Sequence, residues 1–519
     1  MAAPDKPHAP RLLSNAALVG GATLASRITG FMRDIFIAAL LGAGPLAEIF
    51  VIAFRLPNLF RRLFAEGAFN AAFVPLFTGK LENGRDEALA FAGQIFSVLL
   101  AALALFTLLA QIFMPSLVLA LAQGFSGDAE KFDAAVHYAR IAFPYLIAMS
   151  LMSLFAAMLN ATGRFFAAAF APILLNLVLI GAMALAALTE GAPLDYIIWG
   201  VAVAGLAQLA FVVIAAWRAG LRIGWVRPRL TDNVRQLWGL AVPGILAAGI
   251  GQINLLVGTS IATGQAGAAA WLYYADRLYQ LPMGVIGVAL SVALLPALAR
   301  HLAKSDSAAA RRTQSDAVWA AGLLTLPAAT GLYVLAAPVI SLLFERGAFG
   351  AADTQMTATV LQGFCLGLPA FVYIKALQPS FFARRDTRAP LVDGAIGVGV
   401  NISLSLAFFD SYGALAIALA TSAAGYVTLG LMLVRLAARD IWRLDARLGM
   451  RLLGQLVAAL VMASGLAKAV QIMDMPSDGL ALGLWVTAAI VCGAVMFFVL
   501  AFGFGAVRRG DLQSLRGRA

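Results

Sequence analysis

Charge is scarce in this chain. Charged residues make up 12% of 519 positions and hydrophobic residues 62%, with a mean hydropathy of +0.88. A soluble protein of this length needs a far larger charged surface, so that class is excluded. Cysteine is almost absent: Cys365 and Cys492 both lie inside apolar segments. They form neither a disulfide framework nor a thiolate metal site, and packing is their expected role. The three histidines, His8, His137 and His301, have no metal-binding spacing. There is no P-loop, so ATP does not drive this chain directly. Long polar loops that could house a soluble catalytic site are missing too. The apolar stretch after the polar first 14 residues is too long for the core of a cleaved signal peptide, and reads as a retained first helix.

What is present is one long apolar stretch after another. Each can cross a hydrocarbon core about 30 Å thick. Lipid offers the backbone no hydrogen-bond partners, so the stretches must be helices. Hydropathy predicts fourteen spans, from 15–42 to 479–506. Basic residues collect in alternate connections: Lys80 and Arg85; Arg164; Arg218, Arg222, Arg227 and Arg229; Arg300, Lys304, Arg311 and Arg312; Arg384, Arg385 and Arg388; Arg439, Arg443 and Arg447. The other connections are poor in them and carry Asp128, Glu130, Glu190, Asp195, Asp353, Asp410, Asp474 and Asp478. By the positive-inside rule both termini are cytoplasmic. The net charge of +11 is spread over these short loops, which argues against a nucleic-acid partner.

Prolines mark an internal repeat. Pro75 and Pro296, Pro115 and Pro338, and Pro144 and Pro369 are offset by 221, 223 and 225 residues. The expected fold is therefore an all-α polytopic membrane protein with two six-helix lobes, 15–218 and 235–436. An even span count per lobe makes the repeats parallel, around a central cavity, with two appended helices in 448–506.

Several charges fall where a membrane should exclude them. Arg27, Arg33 and Asp34 are mid-span in the first helix. Glu48, Arg55 and Arg62 recur every seven residues in the second, continued by Glu66 and Asn70 and flanked by Asn58 and Arg61. Asp276 and Arg277, followed by Gln280, open the eighth. Six arginines facing lipid would cost about 15–20 kcal/mol, so they are expected to line a hydrated cavity. Guanidinium forks suit phosphate, and here they outnumber the four carboxylates Asp34, Glu48, Glu66 and Asp276. The cavity is expected to bind a phosphate-bearing substrate. The competing reading is that these charges pair internally and lock the lobes.

The stretch SRITGFMRDIFIAALLGAGPLAEIFVIAFRLPNLFRRLFAEGAFNAAFVPLF, Ser26 to Phe77, resembles the N-terminal signature of the MurJ (MviN) lipid II flippase family. WLYYADRLYQLPMGVIGVALSVALLPALA, Trp271 to Ala299, resembles that family's eighth helix, and FFARRDTRAP, Phe381 to Pro390, its connection between helices ten and eleven. The resemblance implies a fold of the multidrug/oligosaccharidyl-lipid/polysaccharide exporter superfamily, in the bacterial inner membrane. It implies lipid II, an undecaprenyl-pyrophosphate disaccharide-pentapeptide, as substrate, membrane lipids and cell-wall synthesis proteins as partners, no cofactor and no enzymatic activity. It further implies substrate-binding roles for Arg27, Arg33, Asp34, Arg61 and Arg277, and a lipid-tail groove formed by helices 13 and 14. Some members hold sodium in the second lobe. The matching positions here are Gly258, Asn401, Ser405 and Thr421; only Asn401 and Thr421 suit a cation, and carboxylates are lacking.

Four rivals remain. A drug exporter of the same superfamily would favour unpaired cavity carboxylates. A flippase for another polyprenyl-pyrophosphate glycan would use the same arginines. A membrane-embedded enzyme would need a catalytic acid or histidine beside them, and a scaffold for cell-wall enzymes would not need them at all.

Overall fold

The computed structural model describes residues 9–64, 68–473, 475–476 and 478–508. The chain divides into two compact units, residues 1–267 and 268–519. The first unit contains α1 (Ala9–Leu41), α2 (Pro45–Phe64), α3 (Ala68–Asn83), α4 (Arg85–Ile112), α5 (Met114–Leu121), α6 (Ala129–Ala142), α7 (Tyr145–Ala161), α8 (Phe166–Thr189), α9 (Pro193–Arg218) and α10 (Asp232–Ala262). The second contains α11 (Ala268–Pro282), α12 (Val288–Ala303), α13 (Ser307–Val334), α14 (Ala336–Phe344), α15 (Ala351–Phe382), α16 (Arg388–Tyr412), α17 (Ala414–Ala438), α18 (Ala446–Ile472) and α19 (Gly479–Gly503).

Among the described residues, eleven helical rods are long and apolar enough to cross a membrane. The expected fourteen spans include three more rods that fall short of that measure: α1, α2 with α3, and α10. Charge is the reason for the first two, since Arg27, Arg33 and Asp34 interrupt α1, and Glu48, Arg55, Arg61 and Arg62 interrupt α2. Helix α10 packs on α3, α2, α5 and α4 within the first unit, although the repeat assigns its residues to the start of the second lobe.

The repeat is visible in the backbone. Both long helices α4 and α13 end at a residue with nearly the same torsions, Phe113 (φ −93°, ψ 17°) and Leu335 (φ −90°, ψ 14°). A short apolar helix containing Pro115 or Pro338 follows each break. A proline near a helix start loses no helical hydrogen bond, which favours a new helix there. The next rods are the most buried of their units: 72% of the apolar stretch in both Ala129–Ala161 and Ala351–Phe382 is buried. They differ at the repeat's third proline, since Pro144 separates α6 from α7 whereas Pro369 stays inside a continuous α15.

Inside lipid there is no hydrophobic force between helices, so association relies on close packing by small residues. In the second unit Gly363 and Gly367 of α15 face Ala418 and Ser422 of α17. A Cβ at Gly363 would lie 2.8 Å from the Ala418 Cβ, and one at Gly367 2.7 Å from the Ser422 Cα. The Ser422 hydroxyl donates to the Gly363 carbonyl at 2.7 Å. Beside this seam a larger core gathers Trp319, Phe381, Trp442 and Phe497.

The FFARRDTRAP segment makes the turn from α15 to α16. Arg385 adopts φ 60°, Arg384 donates to the Ser380 carbonyl at 2.8 Å, and Asp386 accepts from the Ala389 amide at 3.0 Å. Arg439, hydrogen-bonded to Asp386, holds that carboxyl below the usual aspartate range. The motif's visible role is to fix a connection.

Replacing Gly367 with valine should lower the thermal midpoint in detergent by the equivalent of about 1–3 kcal/mol of overpacking. A midpoint equal to wild type would show that the α15–α17 seam is looser than described.

Candidate functional site

In the first unit the charges of α1 meet an amide from α8. Arg33 is 7% exposed and Asp34 3%. Arg33 donates to one Asp34 carboxylate oxygen through Nε at 3.1 Å and Nη2 at 2.7 Å. Its Nη1 donates to the Asn176 Oδ1 at 2.9 Å. Asn176 in turn donates to the Ser26 carbonyl and to the Thr29 hydroxyl, both at 3.1 Å. Gly30 makes the approach possible, because a Cβ there would lie 3.3 Å from the Asn176 Nδ2. That gives Gly30 a packing role. A buried ion is tolerated when it is paired and its remaining donors are satisfied. Arg33 meets that condition inside the protein.

Arg27 differs. It is exposed, and among the described residues no hydrogen bond or ion pair engages its side chain. Its guanidinium is available to an incoming anion without first breaking an internal pair.

On α2, Glu48 is fully buried and is met by Lys131 of α6, not by an arginine. The same ammonium sits 4.1 Å from the centre of the Phe125 ring. Arg55, half-buried, donates to the Thr259 hydroxyl of α10. Arg61 donates from Nε to the Asn58 Oδ1 at 3.1 Å, and Asn58 donates to the Phe54 carbonyl at 2.7 Å. Arg62 is exposed on the last turn. Asn70 accepts a long 3.4 Å hydrogen bond from Ser153. Glu66 lies outside the described residues. The seven-residue stripe therefore does not act as one set: its first member is tied down by Lys131, and Arg55 holds α10.

The second unit contributes Asp276 and Arg277 in the second half of α11. The Arg277 guanidinium lies over the Tyr273 ring at 4.7 Å, a cation–π contact, and Gln280 donates to Asp276. Six residues beyond Arg277 the chain widens into a π-helical turn, Met283–Gly287, before α12 begins. Pro282 ends the regular helix there, and such turns often sit beside functional residues. Lys375 of α15 packs its stem against this turn: a Cβ at Gly287 would lie 3.3 Å from the Lys375 Cγ. Among the described residues no hydrogen bond or ion pair engages the Lys375 ammonium.

Three residues that matter here went unnoticed in the sequence. Asn176 is the lone amide in an apolar 24-residue helix, Lys375 the lone lysine in a 32-residue one. Both were detectable as isolated polar residues deep in a span. Lys131 sits near a span boundary, where a charge carries no signal.

The sodium candidates cluster within the second unit. Asn401 is buried, and Ser405 and Thr421 both donate to its Oδ1 at 3.4 Å. Gly258, the remaining position, lies on α10. Of the two carboxylates on the same helix as Asn401, Asp393 is engaged by Arg435 at 2.6 Å and Asp410 is exposed near the helix end. Among the described residues no group of three or more His, Cys, Asp or Glu is placed to hold a metal.

Charged groups sheltered inside long apolar helices, in two helical units, define the class as a polytopic α-helical membrane protein. Solved structures share the fold. A lipid II flippase MurJ in an inward closed conformation superposes with a TM-score of 0.80 at 23% identity, covering 94% of this chain and 98% of that one. An inward-facing multidrug resistance MATE transporter of the MOP superfamily follows with a TM-score of 0.66 at 14% identity, over 82% of this chain and 98% of its own.

The sequence goes further. The model of the lipid II flippase MurJ family matches residues 37–477. The probable lipid II flippase MurJ of Rhizobium meliloti (strain 1021) is 46% identical over 507 residues, 95% of this chain and 94% of its own length. The lipid II flippase MurJ of Burkholderia cenocepacia is 32% identical over 95% of this chain and 98% of its own. The chain belongs to the lipid II flippase MurJ family.

Replacing Asn176 with leucine leaves the Arg33 Nη1 without its acceptor and should cost about 1–3 kcal/mol of stability. Arg27→Gln, which breaks no internal bond, should stay within about 0.5 kcal/mol. Denaturant melts in detergent compare the two; equal losses would remove the distinction between the committed and the available arginine.

Proposed function

We infer that this chain moves lipid II, the undecaprenyl-pyrophosphate-linked peptidoglycan precursor, from the cytoplasmic to the periplasmic leaflet. The observation that carries this reading is the match, over nearly the whole length of both chains, to relatives named as lipid II flippases. The available guanidinium of Arg27, inside a membrane helix, supports it from the chemistry of the site.

The mechanism is alternating access. In the cytoplasm-open state Arg27 receives the pyrophosphate, whose charge compensates its own in a poorly hydrated surrounding. Arg61, held by Asn58, and, in the second unit, Arg277 and Lys375 are the further cations whose role in headgroup binding mutation tests. Arg33 and Asp34 act as a positioning pair that fixes α1 against α8. The polyprenyl tail stays in lipid, guided along residues 448–506, the region of α18 and α19. The two lobes of the cycle are 15–218 and 235–436, following the sequence repeat, and both termini are cytoplasmic, following the loop charges. Movement of net charge would draw on the membrane potential, about 2.3 kcal/mol per charge per 100 mV. Cell-wall synthesis proteins are the natural suppliers and consumers of such a substrate.

The test measures the leaflet distribution of lipid II in cells depleted of the protein and rescued by wild type, Arg27→Ala or Arg277→Ala. Wild type should restore export, and each variant should reach less than a tenth of that rate. Continued export after depletion, in cells with no second flippase, would contradict the lipid II assignment.

A further inference from the structure

The first unit contains two adjoining hollows remote in character from the charged residues above. The larger-walled one has a volume of about 210 Å³ and is enclosed by α3, α4 and α10, through Phe69, Leu99, Phe106, Leu237, Trp238 and Ile245. Its lining is wholly apolar. The second, about 260 Å³, opens outward between α4 and the segment that precedes α10, with Leu105, Pro228, Arg229 and Leu230 on its walls. Val98 and Ala102 line both, so the two lie side by side on α4. Arg229 is the single charged residue lining either.

The segment 219–231 that carries Arg229 is not helical, yet it is pinned along α4. The Arg85 Nη2 donates to the Ala219 carbonyl at 2.7 Å, and the Val226 amide donates to the Ser97 hydroxyl at 2.9 Å. Thr231 and Asn233 both donate to the Gln94 Oε1 at 3.2 Å. The strap also turns apolar groups outward: Trp225 is 65% exposed and Leu230 70%. Tryptophan, leucine and arginine together on one strap suit a membrane–water interface, where rings sit at headgroup depth and cations meet phosphate. The Arg229 side chain has no hydrogen-bond or ion-pair partner among the described residues. An apolar hollow thus adjoins an outward-opening one that carries one available cation.

We propose that this pair of hollows binds one anionic glycerophospholipid of the bilayer. An acyl chain lies in the hollow between α3, α4 and α10, and the phosphate rests on Arg229. The shape fixes the order of the parts: the apolar recess accepts hydrocarbon, and the cation stands only in the outward-opening hollow beside it. A single arginine matches the single charge of a phosphodiester. Since the lipid bridges α4 and α10, its presence holds α10 to the first unit. This site uses none of the residues assigned to lipid II.

The experiment is native mass spectrometry of the purified full-length protein released from micelles containing equal phosphatidylglycerol and phosphatidylethanolamine. Wild type should retain one phosphatidylglycerol in at least tenfold preference over phosphatidylethanolamine. Arg229→Gln, at an exposed position, should abolish the preference. Ala102→Phe, also exposed and lining both hollows, should reduce retention of both lipids at least tenfold. Equal retention of the two lipids by wild type, or unchanged retention in either variant, overturns the proposal. So does displacement of phosphatidylglycerol by undecaprenyl phosphate at equimolar concentration, which would assign the hollow to the substrate's tail.

Discussion

A charge inside hydrocarbon must find a partner or water, because its transfer out of water costs several kcal/mol. Nearly everything specific about this chain follows from how its few intramembrane charges meet that demand. Apolar composition alone would yield interchangeable helices. It is the charged and amide side chains that decide which helices lie together and which positions remain open to a ligand.

The charges divide by what they touch. Glu48 with Lys131, and Asp393 with Arg435, are opposite charges on different helices whose carboxylates are fully buried. Arg33 is shared between Asp34 and Asn176, and so joins α1 to α8. These pairs act locally as locks. Arg27 stands apart as an exposed cation with no internal claim on it among the described residues. Each lock also raises the value of the remaining cations, because the carboxylates that could have neutralised them are already engaged. The internal-pairing reading therefore holds for these residues, while Arg27 keeps no internal pair among the described residues.

The helical class, the rod order and the repeat were legible in the sequence because they rest on long apolar runs and on prolines, whose effects are local. The break at Phe113 and its counterpart at Leu335 illustrate this, since Pro115 and Pro338 announce both. The sheltered charges were legible by residue type but not by partner. Glu48 shares a helix face with Arg55 by spacing, yet its charge is met by Lys131, 83 residues away. Asn176, 143 residues from Arg33, carries no local sign of that contact. Nor did the periodicity of α10 reveal that it packs with the first unit, because packing choices depend on the partner's surface. The sodium candidates show the same limit: Asn401 and Thr421 are close in space, but proximity of two neutral oxygens does not supply a cation's charge.

The central claim is that the uncommitted guanidinium of Arg27 binds the pyrophosphate of the carrier lipid. Binding of undecaprenyl pyrophosphate and of uncharged undecaprenol to the purified protein, by calorimetry in detergent, tests it most directly. The account predicts that removing the pyrophosphate, or substituting Arg27 by glutamine, weakens binding at least tenfold, and that rising salt weakens only the charged ligand. Equal affinity for the two lipids, unchanged by Arg27→Gln, would contradict it.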